Sequence, residues 1–192
     1  RMNLLLASAS PRRKQLLLAA GVSLSGIRAP AIDESPRPGE RPLAYVRRMA
    51  REKALAILAE EPLLTADTVV HQAGVIFDKP RDPEHARQLL SGLSGRWHQV
   101  STAWALRQPG GDPQVRVCTS RVLFRHLSPA EVEAYVLLGE GADKAGGYAV
   151  QGLGASLVDR VSGSYTNVIG LPLPQVLEHL ALAGIHPSVE LP

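Results

Sequence analysis

A single cysteine, Cys118, excludes an internal disulfide. That fits a reducing compartment, and a cytoplasmic location is the expectation. Aromatic residues make up only 4% of the 192 residues, too few for a platform on which successive bases stack. Basic residues are scattered, no run of five or more occurs, and the formal net charge is only +3. Nothing therefore marks a groove for a phosphodiester backbone, and nucleic acid is not an expected partner. No segment approaches the roughly 20 uncharged apolar residues that span a bilayer, so no membrane association is expected. Arginines follow the first apolar run too soon for a secretory signal peptide, and Arg1 ahead of Met2 reads as a leftover of the expression vector. Also missing are HExxH, a Cys/His zinc spacing, GxxxxGK[ST] and the GxSxG elbow of serine hydrolases. What remains is an ordinary globular composition, 45% hydrophobic and 20% charged, long enough for one domain or two small lobes sharing a cleft.

The pattern along the chain predicts a first strand at 3–7 and a helix at 11–20 closed by Gly21. A proline-rich loop covers 28–42 and a longer helix runs from Pro42 to about residue 60. Leu63–Val70 reads as a strand, with Ala73-Gly74 turning into Val75–Phe77. Asp82-Pro83 opens a helix through Leu93. Strands are expected at His98–Leu106 and Val115–Phe124, and Ser128-Pro129-Ala130-Glu131 is a capping box for a helix that stops at Gly139. In the glycine-rich segment 139–170 short strands are expected at 148–151 and 155–161, and Pro172 starts a last helix to about Ala183. Alternating strands and helices followed by hairpins give an α/β fold, a mixed twisted sheet with flanking helices, as one chain-wide domain with two lobes.

The segment Ala7-Ser8-Ala9-Ser10-Pro11-Arg12-Arg13 carries the strongest local signal. A strand ending in small hydroxyl residues and turning straight into a helix aims free N–H groups and the positive dipole end at the turn, which makes an anion site. Ser10 suits the N-cap, Pro11 the first helical position, and Arg12 and Arg13 add planar guanidinium forks that match phosphate oxygens. The plainer alternative is a capped helix with two solvated arginines. Lys53 falls beside the apolar stripe Val46, Ala50, Ala54 and Ile57, where a lysine either snorkels out or meets an anion. Asp67 interrupts the apolar run Leu63–Val70, which is expensive for a carboxylate unless it is paired, metal-bound or capping a strand end. Asp33 and Glu34 are either solvated acids or metal ligands, and Lys79-Pro80 is either a loop or a phosphate contact. His98, Asp143 and Lys144 are weaker candidates. Gly163-Ser164-Tyr165 and Gly170-Leu171-Pro172 offer further places where small residues let a ligand approach the backbone. Four cations (Arg12, Arg13, Lys53, Lys79) and two acids (Glu34, Asp67) suit a nucleotide polyphosphate with a divalent metal held by carboxylates.

Taken in order, Ser8-Ala9-Ser10-Pro11-Arg12-Arg13, Asp33-Glu34, Lys53-Ala54, Ala66-Asp67-Thr68-Val69-Val70, Lys79-Pro80 and Leu93-Ser94-Gly95 with His98 resemble the Maf family of nucleoside triphosphate pyrophosphatases. The likeness continues through Gly139-Glu140 with Asp143-Lys144-Ala145-Gly146, Tyr148, Gln151-Gly152, Gly163-Ser164-Tyr165 with Asn167-Val168, and Gly170-Leu171-Pro172-Leu173. It spans about Leu4 to Leu182 and implies one Maf-like domain over 1–192, of the Maf and inosine triphosphatase type, with two lobes around a nucleotide cleft. The resemblance implies hydrolysis between the α and β phosphates, with Asp67 as general base and Ser8, Arg12, Arg13, Lys53 and Lys79 on the triphosphate. Glu34 and Asp67 would hold Mg²⁺ or Mn²⁺, and whether Asp67 is base or mainly ligand stays open. Arg12, Thr68 and Gln151 are similar to the dTTP and UTP subgroup, with CTP or modified pyrimidine nucleotides as further candidates. The 7-methyl-GTP subgroup instead tends to carry an aromatic residue, glutamine and glutamate at those positions. Ala149 stands where the family often has glycine, and Leu64-Thr65 replaces a small residue before Ala66. The family also tends to form homodimers. The contrasting alternatives are a 7-methyl-GTP pyrophosphatase and a non-catalytic nucleotide-sensing regulator of cell division.

Overall fold

Leu4, Leu5, Leu6 and Ala7 are all buried, the signature of a parallel strand covered on both faces. In the computed structural model, which describes residues 3–188, they form β1 (Leu4–Ala7), paired in parallel with β2 (Leu24–Ile27) on one side and β3 (Leu63–Gln72) on the other. The Arg1-Met2 start lies outside the described residues. The remaining strands are β4 (Val75–Phe77), β5 (Trp97–Arg107), β6 (Gln114–Phe124) and β7 (Val158–Ser162). They complete a seven-stranded sheet in the order β2-β1-β3-β5-β6-β7, with β4 antiparallel on β3 and β7 antiparallel on β6. The sheet is mixed, as the alternating pattern followed by hairpins implies. The helices are α1 (Pro11–Ala19), α2 (Pro42–Leu55), α3 (Pro83–Leu93), α4 (Pro129–Leu138), α5 (Tyr165–Ile169) and α6 (Leu173–Leu182). None of the described helices is long and apolar enough to cross a membrane.

Ser10, Asp82 and Ser128 cap α1, α3 and α4 with their side chains, and the capping box of Ser128 and Glu131 is formed in both directions. Three expectations are corrected, and two elements go undisclosed by the pattern. The helix from Pro42 stops at Leu55 rather than near residue 60. The apolar spacing continues to Ile57, which is buried. However, the Arg107 guanidinium donates to the Ile57 carbonyl and Arg28 donates to that of Leu58 at 3.2 Å, so these oxygens need no further helical N–H. Residues 148–151 form no strand, because the Ala149 N–H goes to the Tyr135 hydroxyl instead of a ladder. The expected strand at 155–161 begins only at Val158, after a 3₁₀ segment, Gly152–Leu157. Finally, β2 and α5 are elements that the pattern did not disclose, each only four or five residues long.

The chain forms two compact units. The first comprises the residues up to Asp67, Thr102–Cys118 and those from Gly170 on; the second comprises Thr68–Ser101 and Thr119–Ile169. The core of the first unites β1, α1, β3, β5 and α6 through Leu4, Leu6, Leu17, Leu64, Trp104 and Leu180. Its one buried imidazole is fully partnered: Trp104 Nε1 donates to His179 Nδ1 at 3.1 Å, which leaves Nε2–H to donate to Gln114 Oε1 at 3.2 Å.

In the second unit His98, 1% exposed, meets the rings of Phe124 and Tyr148 edge-on and hydrogen-bonds the Tyr148 hydroxyl at 2.7 Å. Burial pushes its pKa from 6.5 down to about 4, and the nearby His71, itself lowered by burial, adds to the push.

Two expected outcomes follow from this packing. Arg107→Ala leaves the half-buried Ile57 carbonyl without its donor and lowers stability by about 1–3 kcal/mol, whereas Arg28→Ala, an exposed contact, costs under about 0.5 kcal/mol. Urea midpoints with unchanged m-values distinguish the two. A histidine whose folded pKa is depressed resists a proton that the unfolded chain accepts. Its stabilisation is therefore full above pH 6.5 and lost as pH falls through about 4. Unfolding free energy should fall across this window, and the slope should be shallower in His98→Gln, by on the order of 3 kcal/mol over the whole window at most.

Candidate active site

At the end of β1 the chain turns through Ser8 and Ser10 into α1, and the two hydroxyls organise that turn. Ser8 Oγ accepts from the Ser10 amide at 3.1 Å and from Arg13 Nη1 at 3.3 Å, while Ser10 Oγ accepts from the Arg13 amide at 3.5 Å. Two of the amides expected to face an anion are thus already engaged by serine oxygens. What the turn presents is chiefly guanidinium charge and the helix dipole. Arg13 is fixed from a third direction, since its Nε donates to the Gly170 carbonyl at 2.8 Å. This is the Gly170-Leu171-Pro172 loop, one of the small-residue segments noted in the sequence. Burial holds the Arg13 guanidinium below its usual range. Asp67 pulls it back up, Arg12 pushes it down, and Glu34 pulls it up. Arg13 stays a cation throughout, but a poorly solvated one, which strengthens its attraction for an anion. Arg12 lies half-buried on the first turn of α1.

Lys53 does not snorkel. It is 7% exposed, and its Nζ lies 2.7 Å from Asp67 Oδ1 and 3.1 Å from Glu34 Oε1. Three segments meet at this ammonium: α2 supplies Lys53, β3 supplies Asp67, and the proline-rich loop supplies Glu34. The strand is seated on the helix by Thr65, which donates to the Ala50 carbonyl at 2.7 Å, two residues before Asp67 and three before Lys53. The loop is tied down by residues that the sequence reading missed. Tyr45 donates to the Glu34 carbonyl at 2.9 Å, and Arg48 donates to the Ser35 carbonyl at 3.1 Å and to both Glu40 carboxylate oxygens at 2.7 Å. The Arg48 hydrogen bonds hold the Glu40 carboxyl down near 2, below the usual carboxylate range. The available signal was spacing, since Tyr45, Met49 and Lys53 recur at steps of four on one helix face.

Asp67 and Glu34 are the acids to which a divalent cation was assigned. Among the described residues no group of three or more His, Cys, Asp and Glu side chains is arranged to hold a metal. Two carboxylates sharing one ammonium fit Mg²⁺ or Mn²⁺, which take one or two carboxylates and complete their shell with water and substrate phosphate oxygens. Lys53 holds Asp67 through Oδ1.

Ser8, Arg12, Arg13, Glu34, Lys53 and Asp67 therefore all lie in the first unit, joined by hydrogen bonds, ion pairs or charge interaction. The other three assigned residues lie on separate segments of the second. Thr68 is half-buried on β3. Lys79 is exposed after β4, and no carboxylate of the described residues pairs with its ammonium. Gln151 is exposed, directly before the 3₁₀ segment. Among the weaker candidates, His98 is a core residue on Tyr148, while Lys144 bonds Asp143 Oδ1 at 2.7 Å and the Glu140 carbonyl at 2.8 Å.

The family model described as Maf-like protein matches residues 3–183. The chain is 47% identical over 187 residues to a protein of Chromobacterium violaceum named dTTP/UTP pyrophosphatase, covering 93% of each. It is also 47% identical over 188 residues to a protein of the same name from Alcanivorax borkumensis, covering 96% of this chain and 97% of that one. Among solved structures a HAM1 protein from Coxiella burnetii aligns with 95% of this chain and 98% of its own, at TM-score 0.52 and 16% identity, a likeness of fold. With nearly the whole sequence matched to the family and to these relatives, the chain belongs to the Maf family.

Proposed function

We propose that this protein hydrolyses dTTP and UTP between the α and β phosphates, giving the monophosphate and pyrophosphate. The observation that carries the reading is the buried Lys53 ammonium held by Asp67 and Glu34, with the desolvated Arg13 guanidinium in electrostatic range of both acids. Polyphosphate hydrolysis asks for cations to offset the charge of the leaving pyrophosphate and for a carboxylate to take the proton of the attacking water. Arg12, Arg13, Lys53 and Lys79 supply the first, with the Ser8 hydroxyl, whose described contacts use it as an acceptor, left to donate to a phosphate oxygen. Asp67 supplies the second. With Oδ1 on Lys53, Oδ2 accepts the water proton as the new P–O bond forms and the bridging P–O bond breaks. Mg²⁺ or Mn²⁺ on Glu34 and Asp67 would lower the pKa of bound water and neutralise phosphate charge.

The base preference rests on Arg12, Thr68 and Gln151, the positions similar to the dTTP and UTP subgroup, and agrees with the names of the relatives. The Gln151 amide both donates and accepts, matching the adjacent carbonyl and N–H of uracil or thymine; a carboxylate would suit the donor-rich edge of a methylated guanine.

Pyrophosphate release from UTP, dTTP, CTP, GTP and 7-methyl-GTP, with Mg²⁺ or Mn²⁺ and with EDTA, tests the reading. Metal-dependent turnover led by UTP and dTTP is the expected result. A lead for 7-methyl-GTP overturns the base assignment, and binding without release points to a sensor. Asp67→Asn leaves Lys53 paired with Glu34 at 3.1 Å; it should lower the melting temperature but still bind nucleotide while losing about 10²-fold or more in kcat, and near-normal turnover would remove Asp67 from the chemistry. Gln151→Glu should reduce use of UTP and dTTP without lowering the melting temperature, and an unchanged substrate ranking would end its base-reading role.

A further inference from the structure

The segment Tyr148–Gly154, which carries Gln151, belongs to no sheet and runs into the short 3₁₀ turn at Gly152–Leu157, and side chains fix it on both sides of Gln151. The Ala149 amide donates to the Tyr135 hydroxyl at 3.1 Å, two residues before Gln151. The Leu153 and Gly154 amides donate to Glu140 Oε2 and Oε1, each at 3.1 Å, two and three residues after it. Tyr135 in turn donates to Glu140 Oε1 at 3.4 Å, which closes the two anchors into one network. Tyr135 is 5% exposed on α4, and Glu140 follows that helix directly after Gly139.

The fit leaves no slack. A Cβ at Gly154 would lie 1.9 Å from the Ala149 carbonyl oxygen and 2.8 Å from the Tyr135 hydroxyl, and one at Gly152 would lie 2.9 Å from Glu140 Oε1. Glu140 is also not occupied with charge pairing. Lys144, the cation nearest in sequence, bonds its backbone carbonyl and the Asp143 carboxylate instead. A carboxylate committed to two consecutive backbone N–H groups and a tyrosine hydroxyl acts as a clamp. Between the two anchored stretches of backbone lies Gln151, an exposed residue.

We propose that Tyr135 and Glu140 are positioning residues for nucleobase selection, clamping the backbone on both sides of Gln151 so that its amide meets the pyrimidine edge in one fixed orientation. This rests on the reading of Gln151 as the base-recognising residue. Neither residue touches substrate, so loss of the clamp frees the loop to present the amide in several orientations. Affinity and base discrimination then fall while the chemistry at phosphorus continues.

The test compares Tyr135→Phe, Glu140→Ala, Glu140→Gln and Gln151→Ala for kcat and KM on UTP, dTTP, CTP and GTP. The Ki of inorganic tripolyphosphate, an inhibitor with no base, is measured alongside. Tyr135→Phe and Glu140→Ala are expected to raise KM for UTP about tenfold with kcat within about threefold, and to narrow the UTP over GTP preference. Glu140→Gln keeps one acceptor oxygen and falls between wild type and Glu140→Ala. The tripolyphosphate Ki stays within about twofold, and Glu140→Ala adds little to Gln151→Ala because both act through the same amide. If Gln151→Ala shifts the ranking while the clamp variants behave as wild type, the positioning role alone is overturned. If Gln151→Ala leaves the ranking unchanged, the base reading falls and the clamp proposal with it. A parallel loss of tripolyphosphate binding would show a general loosening and also overturn the proposal. Should Glu140→Ala fail to fold, Tyr135→Phe, which removes a single oxygen, decides between these outcomes.

Discussion

The first unit is organised around one buried positive charge. An ammonium 7% exposed is tolerable only if its lost hydration is replaced, and Lys53 replaces it with two carboxylates brought from different parts of the chain. The requirement runs in both directions. Asp67, a buried carboxylate in the middle of β3, needs a cation as much as Lys53 needs an anion. Breaking such a pair on one side typically costs about 3–5 kcal/mol, whereas replacing it whole by apolar residues is often neutral. Stability alone therefore does not explain a Lys, Asp and Glu set at the meeting point of α2, β3 and a proline-rich loop. The proposed function does, since an ammonium already stripped of water would interact strongly with an incoming phosphate.

Around that charge the protein relies on side chain to backbone bonds to fix segments lacking regular structure. Tyr45 and Arg48 hold the loop of Glu34, the Gly170 carbonyl holds Arg13, and Arg107 takes the Ile57 carbonyl just past the end of α2 at Leu55. Each bond is worth about 1 kcal/mol net. Its larger effect is to remove alternative orientations of the group it serves, and preorganised charge is what an active site needs when the barrier lies in stabilising developing anions.

Much of this was legible in the sequence, because the signals were local. Ser10-Pro11 and Asp82-Pro83 mark helix starts through capping chemistry that acts within four residues. Lys53 and Asp67 stood out as charges at positions where the apolar period demanded none, and the structure pairs them with each other. The misreadings share a different cause. The end of α2, the absent strand at 148–151 and the occupied amides of Ser10 and Arg13 are all decided by where a backbone group finds its partner. Those partners are Arg107, Tyr135 and two serines. Periodicity reports which side chains face inward, but not which distant side chain takes a carbonyl or N–H.

The same distinction explains why Gln151 could be picked out as a residue but not as a geometry. Its exposure leaves the amide unconstrained by packing, and an exposed glutamine retains several rotamers whose ordering on binding costs about 1–2 kcal/mol. That cost approaches what one amide contact returns, so an unrestrained glutamine on a mobile loop would discriminate poorly between bases. Fixing the backbone on both sides limits the cost to the side-chain torsions alone. The network of Tyr135 and Glu140 does this through the Ala149, Leu153 and Gly154 amides, beside a glycine, Gly154, whose Cβ the Ala149 carbonyl would exclude. Under the proposed role of Gln151, the demand for selectivity falls on the rigidity of a short loop, and that rigidity is supplied from α4 and the residues just past its end.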